Sequence, residues 1–156
     1  MRWLSGAGIV LALLSGVGGF LWWSGEDSLS TSGVLLQTAS DCRLDQESCQ
    51  ADNGAVRLIL SLSPRPIPVM KTIRVDAELT GLTAVQSVDI RVTGVNMYMG
   101  EQSARLQPVN EQSSRWAGSF MLPLCTSEVM LWQANVHITT TDNHYQATLP
   151  FQTRSR

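Results

Sequence analysis

Apolar residues alternate with polar residues in six separate segments of this chain, and this pattern constrains the fold more than any other feature. Successive side chains of a strand point to opposite faces of a sheet, so a period of two predicts strands with one buried face. Turn-forming glycines and prolines separate the segments, and no helical period follows residue 24. The segments run over residues 56–62, 73–79, 88–92, 116–122, 130–138 and 145–151. Six or seven short strands in about 100 residues predict an all-β, immunoglobulin-like antiparallel β-sandwich.

The first 23 residues predict a membrane anchor. The stretch from Trp3 to Trp23 has no charged residue and no histidine, and as a helix it is about 30 Å long, one hydrocarbon core. Arg2 precedes it and Glu26 follows it, so the positive end is expected to stay inside and the rest of the chain to be exported. A cleaved signal peptide, with a small-x-small site at residues 16–18, is the alternative.

This interpretation divides the chain into three parts. Residues 1–23 form an uncleaved signal anchor, with one N-terminal transmembrane helix. Residues 24–41 are rich in Gly, Ser and Thr and form a flexible spacer. Residues 42–156 form the periplasmic β-sandwich domain of a single-pass inner-membrane protein.

Composition and motifs exclude several functions. The formal net charge is −2, with 11 basic and 13 acidic residues, so the basic patch that nucleic acid requires is missing. We find no nucleophile elbow, no paired histidines at metalloprotease spacing and no phosphate-binding glycine loop. His137 and His144 are expected to be solvated surface residues. We therefore expect no catalytic residues and no enzymatic activity.

The three cysteines predict one disulfide and one free thiol. Cys42 and Cys49 are close in sequence, and an exported compartment is oxidising, so this pair is expected to close and to staple a loop. Cys125 then has no partner. A free thiol in such a compartment is a liability unless it has a function.

Met97 and Met99 lie two residues apart, which places both side chains on one side of an extended chain. Their phase is that of the polar face of the preceding strand, unless a bulge at Gly94 resets it. Thioether and thiolate select Cu(I), so Met97, Met99 and Cys125 are candidate metal ligands, with Met130 as a fourth. The alternative is that methionines fill the core, which suits Met130 best.

A resemblance follows from the run between residues 88 and 136, which reads V-x-I-x-V-x-G-V-x-M-x-M-G, then W-x-G-x-F-x-L-P-L-C and M-x-W-x-A-x-V. It resembles the YtkA-like and FixH-like group of small exported β-sandwich proteins. More closely, it is similar to uncharacterised membrane-anchored periplasmic proteins of gammaproteobacteria with a paired-Cys segment, a P-R-P-I-P stretch and an M-x-M-G motif. The resemblance implies copper handling and cytochrome oxidase assembly. This chain departs from well-studied periplasmic copper chaperones because it lacks their His-rich and Met-rich clusters.

Two functional hypotheses follow. The first is a non-enzymatic accessory protein that binds and delivers Cu(I) for a respiratory oxidase or its assembly factors, with Tyr98 shielding the site. The second is a metal-free module that docks on a membrane complex, with Met97, Tyr98 and Met99 as an adaptable contact. Thiol redox chemistry at Cys125 is a weaker third hypothesis, because the chain has no C-x-x-C motif.

Overall fold

The computed structural model describes residues 33–154, and this part of the chain is all-β and contains no helix. It has ten strands: β1 (Val34–Thr38), β2 (Cys49–Asp52), β3 (Arg57–Ser63), β4 (Thr72–Thr80), β5 (Val85–Gly94), β6 (Glu101–Arg105), β7 (Gln107–Pro108), β8 (Arg115–Met121), β9 (Val129–Thr140) and β10 (His144–Arg154). The six segments predicted from alternation are confirmed as β3, β4, β5, β8, β9 and β10. Four further strands were not predicted.

The strands form one nearly closed sheet in the order β6-β5-β9-β10-β1-β2-β3-β4-β8-β7. Strand β1 lies between two groups of strands, β6-β5-β9-β10 on one side and β2-β3-β4-β8-β7 on the other. Its residues Val34–Leu36 pair with β10, and its residues Gln37–Thr38 pair with β2. The pairing of β1 with β10 is parallel, unlike the purely antiparallel sandwich that the sequence predicts. Among the described residues, every other ladder is antiparallel.

The two outermost strands of this order, β6 and β7, are consecutive pieces of one segment of the chain. Strand β6 pairs with β5, and β7 pairs with β8. Leu106 lies between them, is buried, and donates its amide to the Val88 carbonyl at 2.8 Å. A Cβ at Gly118 would lie 2.6 Å from Leu106 Cδ2. The glycine in β8 therefore leaves space for the Leu106 side chain, where the chain passes from β6 to β7.

The apolar face of each long strand forms one shared core, as period two requires. In β9 the inward residues are all buried, and the Trp132 ring stacks on Phe151 with centroids 6.3 Å apart. The Trp132 indole N–H donates to Thr153 Oγ1 at 2.9 Å, which satisfies the polar group of a buried aromatic ring.

Two sequence predictions concern the start of the domain. The Cys42–Cys49 disulfide is confirmed, with the two Cα atoms 5.7 Å apart. The spacer that was predicted to reach residue 41 is too long, because Val34–Thr38 is strand β1 and Leu36 is buried. The side chain of Leu36 enters the core, and so this segment belongs to the folded domain.

Among residues 33–154, no helix is long and apolar enough to cross a membrane. The predicted anchor, residues 1–23, lies outside the described residues.

Candidate functional site

Two loops meet at one end of the domain, and each carries a predicted ligand. Residues 95–100 connect β5 to β6, and residues 122–128 connect β8 to β9. Asn96, in the first loop, forms two hydrogen bonds to the start of β9. Its side-chain amide donates to the Val129 carbonyl at 3.1 Å, and its Oδ1 accepts the Leu131 amide at 2.9 Å. The first loop is therefore hydrogen-bonded to the start of β9, and the second loop leads directly into that strand.

Gly94 lets the first loop turn back over the end of β5. A Cβ at this position would overlap with the Met97 carbonyl oxygen and with the Met130 methyl group. From Ser87 to Gly94, which lies opposite Trp132, the register of β5 against β9 is regular, so the bulge considered for Gly94 does not form. The strand simply ends here, and Met97 and Met99 lie in a loop rather than on an extended strand.

Cys125 and Met97 are brought together across this end of the domain. The Cys125 thiol donates to Met97 Sδ, and the two sulfur atoms are 3.5 Å apart. The Ser127 amide donates to Cys125 Sγ at 3.4 Å. Cys125 is the free cysteine and is buried, whereas Met97 is 38 % exposed. The pair is therefore reachable from solvent through the methionine side.

Met99 and Met130 take other positions. Met130 is 2 % exposed and lies in the core beneath the loop that carries Met97. Met99 is partly buried and packs against the core. Their positions agree with the interpretation of methionine as a core residue, which the sequence favoured for Met130 and left open for Met99.

Tyr98 was expected to shield the site, but it is 84 % exposed. Most of this side chain faces solvent, so the shielding role expected for it is not supported. Val95 and Leu124, at 59 % and 62 % exposure, are also apolar and solvent-facing in the same two loops. The sulfur pair thus lies among exposed apolar side chains.

A shallow apolar groove of about 400 Å³ lies beside the first loop. It is lined by Val95, Leu131, Pro150, Phe151 and the loop around Cys42. No sequence pattern predicted this groove, because its walls come from four separate segments of the chain.

The predicted surface histidines lie on the outer face of β9 and β10. His137 is half-buried and His144 is exposed, with its Nδ1 3.2 Å from Thr139 Oγ1. Both line a polar groove of about 680 Å³. There Asp89 accepts a hydrogen bond from Arg105 Nε at 2.8 Å, and this bond raises the pKa of the guanidinium.

Among residues 33–154, no three His, Cys, Asp or Glu side chains are grouped so that they could hold a metal ion. A metal at the sulfur pair would therefore depend on thiolate and thioether ligands. This donor set suits a soft ion such as Cu(I) and does not suit a hard ion such as Mg²⁺.

Sequence reasoning missed Asn96 and the Ser127 amide, which position Met97 and contact Cys125. An asparagine just after a strand is a known turn signal and was the available hint for Asn96. No protein-family model matches the chain, and the comparison with curated proteins gives no match.

Proposed function

We propose that this protein is a non-enzymatic, membrane-anchored periplasmic accessory protein that binds Cu(I) through Cys125 and Met97. The observation that carries the proposal is the 3.5 Å approach of the two sulfur atoms. The two residues are 28 positions apart in the sequence, so the contact depends on the tertiary fold and not on a local turn.

The chemistry of the pair suits a soft monovalent metal. The thiolate, not the thiol, is the ligand, so Cys125 releases a proton to solvent when the metal binds. The Ser127 amide points its N–H at the sulfur that then carries the negative charge. A thioether is neutral and soft, and with one thiolate it gives a Cu(I) site no net charge.

The wider assignment rests on the sequence. The uncharged stretch before Ser24 supports a single-pass anchor in the inner membrane, with the C-terminal domain in the periplasm. The resemblance of residues 88–136 supports a role in copper delivery to a respiratory oxidase or its assembly factors. We also propose an immunoglobulin-like sandwich, supported by two groups of paired strands that β1 joins.

A Cu(I) titration of the full chain in mild detergent tests the proposal. The protein is kept anaerobic with ascorbate, which spares the Cys42–Cys49 disulfide, and a thiol count after denaturation verifies one free thiol per chain. A coloured Cu(I) chelator serves as the competitor. We expect one equivalent to bind, and we expect Cys125→Ala to abolish binding.

Methionine variants locate the second ligand. Met97→Ala is expected to weaken Cu(I) binding at least about tenfold, the effect of losing about 1.4 kcal/mol. Met121→Ala is the matched control, because Met121 has a similar exposure of 46 % but ends β8 opposite Thr72. Equal affinities of the two variants would contradict a role for Met97.

The exposed apolar residues favour a second candidate function. Val95, Tyr98 and Leu124 are the adaptable, solvent-facing contacts that a metal-free docking module would use. Absence of Cu(I) binding by folded protein with a reduced Cys125 would favour this candidate. Co-purification of a membrane complex that Tyr98→Ser abolishes would then support it.

A further inference from the structure

We infer that Cys125 and Met97 form an incomplete metal site, and that the molecule exchanging metal with this protein supplies the remaining ligand as a thiolate or thioether. This inference rests on the proposed Cu(I) function and adds to it the class of partner. It also accounts for how a buried thiol exchanges metal.

The spacing of the two sulfur atoms is the first argument. With metal–sulfur bonds of about 2.3 Å, two ligands on opposite sides of a metal lie about 4.6 Å apart. The observed separation in the hydrogen-bonded pair is 3.5 Å, about 1 Å shorter than that linear arrangement requires. The pair as it stands is therefore too close for a linear two-ligand site, which leaves room for a further ligand.

The positions of the other sulfur atoms are the second argument. Cys42 and Cys49 are joined in a disulfide, and Met130 is enclosed in the core. Met99 packs against the core, and Met121 lies on the outer face of β8. Among the described residues, Met97 is the one thioether found in contact with Cys125. Within residues 33–154, no third sulfur atom is therefore hydrogen-bonded to the pair.

The accessibility of the pair is the third argument. Cys125 is 7 % exposed and Met97 is 38 % exposed, so an incoming ligand reaches the metal from the methionine side. The exposed Tyr98 and Leu124 make that approach apolar, which suits a methionine-bearing or cysteine-bearing protein surface better than a free hydrophilic ligand.

The exchange needs no redox step. The incoming sulfur forms a bond to Cu(I) and the neutral Met97 thioether leaves. A second ligand of the same partner then replaces the Cys125 thiolate, which takes up a proton from solvent. Copper stays monovalent and no electron moves. Loss of the weaker, exposed ligand first gives a stepwise route that never releases a free ion.

X-ray absorption spectroscopy of the full chain in sulfur-free detergent tests the inference. The protein is loaded with one equivalent of Cu(I) and desalted, and bound copper is measured before any probe is added. The probe is N-acetylmethionine amide, a thioether that cannot reduce the disulfide. We expect about two sulfur ligands without the probe and about three with it. In Met97→Ala, the probe should restore part of the lost affinity.

Each other outcome has one meaning. No copper after desalting would overturn the proposed function together with this inference. Copper bound by three sulfur atoms without the probe, one of them lost in Met99→Leu or Met130→Leu, would overturn this inference and leave the copper function standing. Bound copper whose sulfur count does not change with the probe would do the same. Met121→Leu is the control, expected to match the unaltered protein.

Discussion

Two loop regions of the domain contain cysteine, one as a disulfide and the other as a free thiol. The disulfide loop, residues 39–48, is anchored to β10: the Leu44 amide donates to the Pro150 carbonyl at 3.1 Å, and Asp45 Oδ1 accepts the Gln152 amide at 3.1 Å. The sulfur loops, residues 95–100 and 122–128, leave apolar side chains in solvent around Cys125. The first region is held by a disulfide and by hydrogen bonds to β10, whereas the second exposes apolar side chains.

The partner of each cysteine explains the difference. Cys42 is joined to a second cysteine, Cys49, in a disulfide, whereas Cys125 contacts the thioether of Met97. A thioether has no S–H to lose and forms no disulfide. Cys125 is therefore a free thiol, whereas a second cysteine in the place of Met97 could close a disulfide with it in the oxidising compartment proposed above.

The largest effect is expected from Leu44→Ala in the disulfide loop. Leu44 is fully buried, and truncating it should lower the free energy of unfolding by about 2–5 kcal/mol. Leu124→Ala in the sulfur loops, at an exposed position, should change it by less than about 0.5 kcal/mol. Urea unfolding followed by near-ultraviolet circular dichroism measures both. Equal losses would remove the distinction between the regions.

Removal of the staple is expected to have the next largest effect. Cys42→Ala with Cys49→Ala should cost about 2–3 kcal/mol of stability, the chain-entropy value for a loop this short. Cys125→Ala should cost about 1 kcal/mol or less, because it removes one small buried sulfur. The same unfolding measurement compares them. A larger loss in Cys125→Ala would show that this thiol is structural.

Gly94→Ala is the variant that tests whether the sulfur loops depend on backbone geometry. The new Cβ overlaps with the Met97 carbonyl and the Met130 methyl group, so we expect a loss of about 1–3 kcal/mol. Cu(I) affinity should fall as well, because the loop that carries Met97 is displaced. Ser87→Ala in the same strand serves as the control. Unchanged affinity in Gly94→Ala would mean that Met97 is not fixed by this turn.

The smallest effect on stability is expected from Met97→Leu. The side chain is partly exposed and leucine has a similar volume, so the free energy of unfolding should change by less than about 1 kcal/mol. The Cu(I) affinity should nevertheless fall as in Met97→Ala. A titration with the competing chelator, run beside the unfolding curve, separates the two properties. Full retention of affinity would remove the thioether from the site.

The strands that sequence analysis predicted are those with two distinct faces. Apolar and polar residues alternate over all nine residues of β4 and from Trp132 to Thr139 in β9, so the pattern is recognised directly. Strand β6 was missed because its sequence, EQSAR, is polar at four of five positions. Strand β1 was missed because its short apolar run is surrounded by Ser, Thr and Gly, and β2 and β7 are too short for a period to be seen.

The candidate site was predicted only in its residue types. Cys125 and Met97 were named because soft ligands stand out in a sequence, but their contact depends on which loops share one end of the sheet. The assignment of Met99 assumed an extended chain beyond β5, and the strand ends at Gly94 instead. A tertiary contact between residues 28 positions apart has no local signal in the sequence.

The crossing of β6 into β7 has a consequence for how other chains meet this protein. The two end strands of the sheet order, β6 and β7, belong to one continuous segment, and the buried residue Leu106 connects them. Exported β-proteins with a long bare edge are prone to recruit a strand from a neighbour, and so to aggregate. Here the two outermost strands are five and two residues long and are consecutive pieces of one segment. Neither offers a long edge to which the strand of another chain could pair.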